Sequence, residues 1–171
     1  MGKFKFEPFG KGFALAKRFH SNVNAPTLPY RIEIEVALEG DRFVCEAMRV
    51  ERKEGGAPVT SEGIRKLPVG DLIRTAALGH VYRVEKNPKG RGVVITETSV
   101  SGFERFADDG PTEEALQYVA LVYRLAYACN ESPTIAIEEA FQLPRSTAER
   151  WVSKARDLGY IDISDPRRRS K

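Results

Sequence analysis

The chain is short of the residues that build metal centres and covalent cross-links: of 171 residues, two are cysteine and two are histidine. Cys45 falls in a β-rich run and Cys129 near the end of a helical one, and neither belongs to a Cys-x-x-Cys pattern, so no disulfide framework is expected. His20 and His80 stand apart from any second histidine, cysteine or aspartate at ligand spacing, which predicts structural or surface roles and no metal site. Long apolar runs are missing as well. No stretch approaches the length that crosses a bilayer, and residues 1–9 carry lysines with no continuous apolar segment behind them, so neither a membrane span nor a signal peptide is expected. With so little cysteine, a reducing cytoplasm is the expected location.

A strong charge of one sign is also lacking. The 27 Lys+Arg against 24 Asp+Glu leave a formal charge of +3, too small to argue for nucleic acid by itself. The distribution says more. Basic residues gather at the start (Lys3, Lys5, Lys11, Lys17, Arg18), in the segment holding Arg145, Arg150, Lys154 and Arg156, and in the tail Arg167, Arg168, Arg169 and Lys171. Catalytic signatures are absent too. Lys89-Gly90-Arg91-Gly92 lacks the Gly-Lys-Ser/Thr ending of a phosphate-binding loop, and Ser61 and Ser101 lie in no recognisable nucleophile arrangement. The chain is therefore expected not to be an enzyme and to need no cofactor.

What is present is enough apolar material, 42% of residues, to fold most of the chain around a core. Ile32, Ile34, Val36 and Leu38 alternate with polar or small residues over 30–38, the period of a strand with one face on a core. Gly40-Asp41 supplies the turn into a second β-rich run over 42–52, so the pair predicts an antiparallel hairpin. After the turn cluster 54–58, Thr60-Ser61-Glu62 suits a helix start and predicts a short helix over 61–66. Asp71 can cap another helix that buries Leu72, Ile73, Ala76, Ala77 and extends toward Val81. Val93-Val94-Ile95-Thr96 reads as an edge strand after the breaker-rich segment 86–92, and 99–110 shows no period. The phenylalanines Phe4, Phe6, Phe9, Phe13 and Phe19 offer two readings: a strand covering the hairpin, which alternation of Phe4 and Phe6 favours, or an aromatic surface for a partner or single-stranded nucleic acid.

Asp108-Asp109-Gly110-Pro111 breaks the composition, and the predicted organisation is an α+β N-terminal domain over 1–108, a three-helix C-terminal unit over 109–164 and a basic tail over 165–171. Thr112 caps the first helix of that unit, with Glu113 and Glu114 at its positive end and Leu116, Val119, Ala120, Tyr123 and Ala126 at helical spacing. Ser132-Pro133 opens a second, shorter helix with Ile137, Ala140 and Phe141 on its apolar side. Gln142-Leu143-Pro144 is a tight connection to a last helix over 145–158, striped by Ala148, Trp151, Val152, Ala155 and Leu158 and ended by Gly159. Trp151, on that stripe, is expected in the core. A short helix, a tight turn and a longer helix with basic residues outside it match the helix-turn-helix signature.

The segment Ile137-Glu-Glu-Ala-Phe-Gln-Leu-Pro-Arg-Ser-Thr-Ala-Glu-Arg-Trp-Val152 resembles the motif of bacterial and phage helix-turn-helix proteins, and the whole C-terminal third is similar to uncharacterised proteins of actinobacteria and their phages. Three positions depart from that motif: Glu138 stands where a small residue is usual, Gln142 replaces the turn glycine, and Pro144 replaces the serine cap. Ser146 with Glu149 offers a capping box in compensation. The resemblance implies sequence-specific binding of double-stranded DNA, as a transcriptional regulator. Arg145, Ser146, Thr147 and Arg150 would face base edges, with Ser146 and Thr147 also suited to phosphate or capping. Lys154, Arg156 and the tail residues Arg167, Arg168 and Arg169 would meet the backbone. A homodimer is expected, because one such unit buries little DNA surface and paired half-sites multiply affinity. The N-terminal part would supply the dimer contact or bind a protein partner. Two other classes stay open: an adaptor that uses the helix-turn-helix as a protein-binding unit, and a recombination-associated protein. Over 160–163 the residues alternate like the first strand of a wing, with too little chain after them for a return strand.

Overall fold

The computed structural model describes residues 6–86, 93–97 and 101–163 of the chain. The fold is α+β, with two antiparallel sheets drawn from residues 6–97 and a run of helices after them. The expected hairpin is present: β4 (Tyr30–Glu39) and β5 (Arg42–Arg52) pair in register from Tyr30↔Arg52 to Glu39↔Arg42. Gly40 turns the chain at φ 58, a region that glycine enters without steric cost. A register shift between Glu35 and Val36 lets β5 carry an extra residue at that point, which bends the ribbon.

Two strands of this architecture leave little trace in the sequence. β3 (Arg18–Val23) adds to the free edge of β4, giving the sheet order β3-β4-β5. β6 (Val81–Lys86) is an inner strand of the second sheet, ordered β1-β2-β6-β7, with β1 (Phe6–Pro8), β2 (Phe13–Ala16) and the edge strand β7 (Val93–Glu97). Val81 therefore belongs to a strand, and the expected helical extension to it is corrected: Gly79 closes the preceding helix at its C-cap. β2 is buried along its whole length, as its unbroken apolar run Phe13-Ala14-Leu15-Ala16 requires of a strand covered on both faces. The chain leaves β2 and enters β3 across Lys17, whose carbonyl accepts from the Leu38 amide at 2.8 Å and so ties one sheet to the other.

α1 (Ser61–Arg65) starts where expected, with the Thr60 hydroxyl accepting from the Gly63 amide at 3.1 Å. α2 (Val69–Leu78) begins three residues earlier than an Asp71 cap would allow: Pro68 is its N-cap and Asp71 lies in the first turn. The segment without a period contains a 3-10 turn, Phe103–Arg105, and α3 (Phe106–Asp109), which together aim Phe103 and Phe106 inward. The expected boundary at 108/109 falls inside α3.

α4 (Glu113–Ala128), α5 (Pro133–Phe141) and α6 (Arg145–Asp157) follow, and α5 and α6 both pack on α4 and on each other. Thr112 caps α4 as expected, its hydroxyl accepting from the Ala115 amide at 3.2 Å. The core is one contiguous cluster running from the sheets into these helices. Phe9 meets Phe43 at 6.2 Å between ring centroids, Phe13 meets Tyr118 at 5.3 Å, and Phe103 stacks on Phe141 at 5.2 Å. Phe9, Phe13 and Phe19 are thus interior, which overturns the aromatic-surface reading for those three. Phe6 keeps an exposed edge, and β1 lies against β2 instead of covering the hairpin. Phe4 lies outside the described residues.

No helix among the described residues is long and apolar enough to cross a membrane. None of their His, Cys, Asp and Glu side chains group in a way that could hold a metal ion.

Candidate nucleic-acid interface

The turn between α5 and α6 explains two of the three departures from the motif. Gln142, in the place of the glycine, adopts φ 54 and ψ 40 at the C-cap of α5, the left-handed region that costs a residue with a Cβ about 1–2 kcal/mol. That conformation lets the Leu143 amide reach back to the Glu138 carbonyl at 3.1 Å, a Schellman closure, and turns the Leu143 side chain into the core. Pro144 then sits at the N-cap of α6 with φ −58 and ψ 143, angles that proline favours. Its carbonyl accepts from Thr147 and Ala148 at 2.9 and 3.0 Å.

The capping box expected of Ser146 and Glu149 does not form, because α6 starts at Arg145 and so places Ser146 in its first turn. Glu149 instead accepts from the Arg145 Nε at 3.1 Å, an i,i+4 ion pair.

Ala148, Trp151, Val152 and Ala155 form the buried stripe of α6. Trp151 is 1% exposed, with Phe141 edge-on at 5.8 Å, and fills the junction of the helices as expected; its indole N–H has no hydrogen-bond partner among the described residues. Leu158, expected on that stripe, is half exposed at 51% and serves as the C-cap residue.

On the opposite side Ser146, Arg150 and Ser153, spaced four and three residues apart, share one uncovered face. The candidate residues divide accordingly. Arg150 is exposed and has no ion pair among the described residues, while Ser146 is exposed beside it and Thr147 is half-buried at the edge. Arg145 is exposed but held by Glu149. Lys154 is exposed and lies 3.5 Å from the Pro111 carbonyl. Arg156 turns back onto α4: its guanidinium donates to the Tyr123 hydroxyl at 2.6 Å and lies 5.0 Å from that ring. Arg167, Arg168 and Arg169 lie outside the described residues.

Behind α6 the chain is fastened by groups the sequence did not single out. Arg124 of α4, 11% exposed, joins Asp162 at 2.5 Å and Asp41 of the β4–β5 turn at 3.6 Å. Lys11, Tyr160 and Glu113 form a second knot, with Lys11 to Tyr160 and Tyr160 to Glu113 both at 3.2 Å. The hydrogen bond to Tyr160 is the main cause of the upward shift of the Lys11 pKa. Tyr160, Ile161 and Ile163 are buried and Asp162 is exposed, yet this segment joins no strand among the described residues. A spacing rule has no access to these ties, since their partners lie 38 to 149 positions apart.

Comparison of the chain with protein-family models, curated proteins and solved structures finds no match.

Proposed function

We propose that the chain binds double-stranded DNA through α6, as a sequence-specific regulator. The observation that carries this reading is the uncovered Ser146, Arg150 and Ser153 face on a helix otherwise packed through one stripe, entered by a tight turn from α5. A helix about 10–12 Å across with its side chains fits the major groove, and an unpaired arginine in its first half can donate two hydrogen bonds to a guanine O6 and N7. Arg150 is the base reader, Ser146 and Thr147 approach phosphate, and Lys154 adds backbone attraction that weakens with salt. The tail arginines 167–169 belong to the same reading as a phosphate-tracking arm, and a homodimer, a cytoplasmic setting and the absence of catalysis remain part of it.

The test is selection of bound duplexes from a randomised library at two salt concentrations, with Arg145→Ala and Arg150→Ala in parallel. Arg150→Ala is expected to lose the enriched motif and about tenfold or more in affinity, in line with 1–3 kcal/mol for a bidentate contact. Arg145→Ala should lose less, because Glu149 already holds that side chain. No enrichment by the native chain at low salt would end this reading.

One observation favours the adaptor as a second reading. The four cations of α6 are matched by four acids on α5 and α6, Glu138, Glu139, Glu149 and Asp157, so the pair of helices carries no net attraction for a polyanion. Reversing the charges of Arg145 and Arg150 separates the two: duplex binding is lost if α6 reads DNA, and partner capture survives if it does not.

A further inference from the structure

A groove on the other side of the helices is unclaimed by either reading. α2 and α5 each pack on α4, and the space between them amounts to about 680 Å³. Phe103 with Leu125 and Ala126 of α4 makes an apolar floor. One wall is Leu78 of α2. The other is α5, where Ile135 is 47% exposed and the small residues Ala136 and Ala140, one helical turn apart, leave the backbone open to close approach.

The rim is acidic. Asp71, Glu131 and Glu139 stand around the mouth, and the single cation there among the described residues, Arg74, is already committed to Asp71 at 3.5 Å and Glu131 at 3.4 Å. Glu139 has no ion pair among the described residues. A cavity of this volume has room for several apolar side chains, and its α5 wall from Ile135 to Ala140 is about 8 Å long, matching the rise between anchors one to two turns apart on a docked helix.

We infer that this groove docks a cationic amphipathic helix of a partner protein, its apolar side on Phe103, Ile135 and Ala140 and its lysines or arginines against Glu139, Glu131 and Asp71. The apolar floor supplies affinity and the carboxylate rim supplies orientation and preference for positive charge. The site is independent of DNA binding by α6, so either can fail without the other.

The experiment is selection, on the full chain, from a displayed library of helical peptides with one apolar face and Lys or Glu at the flanking positions. Peptides with flanking Lys are expected to be enriched, and the best of them should bind about tenfold or more weakly to Glu139→Lys, which reverses the rim charge. Ala140→Trp, which fills the groove, should reduce binding similarly; Glu139→Lys, at an exposed site, keeps the test valid if the larger residue disturbs folding. The inference is overturned by equal recovery of Lys and Glu peptides, by no enrichment, or by peptides that bind both variants as well as the native chain. It is also overturned if the groove is closed by a second copy, seen as a dimer in sedimentation that Glu139→Lys dissociates.

Discussion

α4 and α6 are neighbouring helices built to opposite ends. α4 buries eleven of its sixteen residues, so it touches sheet, α2, α5 and α6 and opens to a ligand only as the floor of the groove beside α5. α6 buries four of thirteen and spends them on one stripe. A helix surrounded by its own chain is a support; a helix held by one stripe can present its other face to something else. The polar residues follow that division. Arg124 of α4 is consumed by Asp41 and Asp162, whereas Arg150 of α6 meets no acid among the described residues.

The strongest way to break the comparison is to empty the stripe that joins the two helices. Trp151→Ala removes the largest fully buried side chain and should cost about 3–5 kcal/mol in urea unfolding, as truncations of buried aromatics do. Arg150→Ala, one residue away, should change stability by less than about 0.5 kcal/mol, as surface substitutions do. A large effect of Arg150→Ala on stability would mean that the outer face of α6 is not free.

Arg124→Ala tests the supporting helix. It is expected to cost about 1–2 kcal/mol, less than a fully buried ion pair because Asp41 and Asp162 are themselves exposed, with much of the loss coming from the guanidinium that lies over the Phe9 ring. Gln142→Gly sharpens the comparison from the other side, since it relieves the left-handed strain that launches α6 and should stabilise the chain by about 0.5–1 kcal/mol. A loss of stability there would assign Gln142 a contact of its own.

The smallest expected effect is a pH slope. His80 stacks on Phe19 at 4.5 Å between rings, and burial lowers its pKa from 6.5. The unfolded chain therefore takes up that proton first. Stability attributable to His80 is complete above about pH 6.5 and declines as pH falls toward the lower folded value. His80→Phe should flatten the urea midpoint over that window, and an unchanged slope would place the titration elsewhere.

The expected elements that appear are those whose signals are local. The β4–β5 hairpin combines period-two alternation with a Gly40-Asp41 turn, and α4 combines the Thr112 cap with a helical stripe. β3 escaped because Phe19 and Val23 are its only buried residues among polar neighbours, and pairing with β4 is what makes it a strand. Val81 by itself fits either a helical or a strand period, and the antiparallel ladder of β6 with β2 decides it. Of the candidate interface, the buried stripe of α6 was readable to within one residue, Leu158. The fate of each cation was not. Arg156 is turned away by Tyr123, thirty-three positions earlier, whereas the Arg145–Glu149 pair lies at the local i,i+4 spacing.

Period, caps and turn residues act over a few positions, so the sequence by itself determined the α+β class, the hairpin, the order of α4, α5 and α6 and the stripe that carries Trp151. Which cations stay available, how the two sheets divide the strands and where a groove opens between α2 and α5 depend on groups brought together from distant positions, and only the tertiary structure decided them.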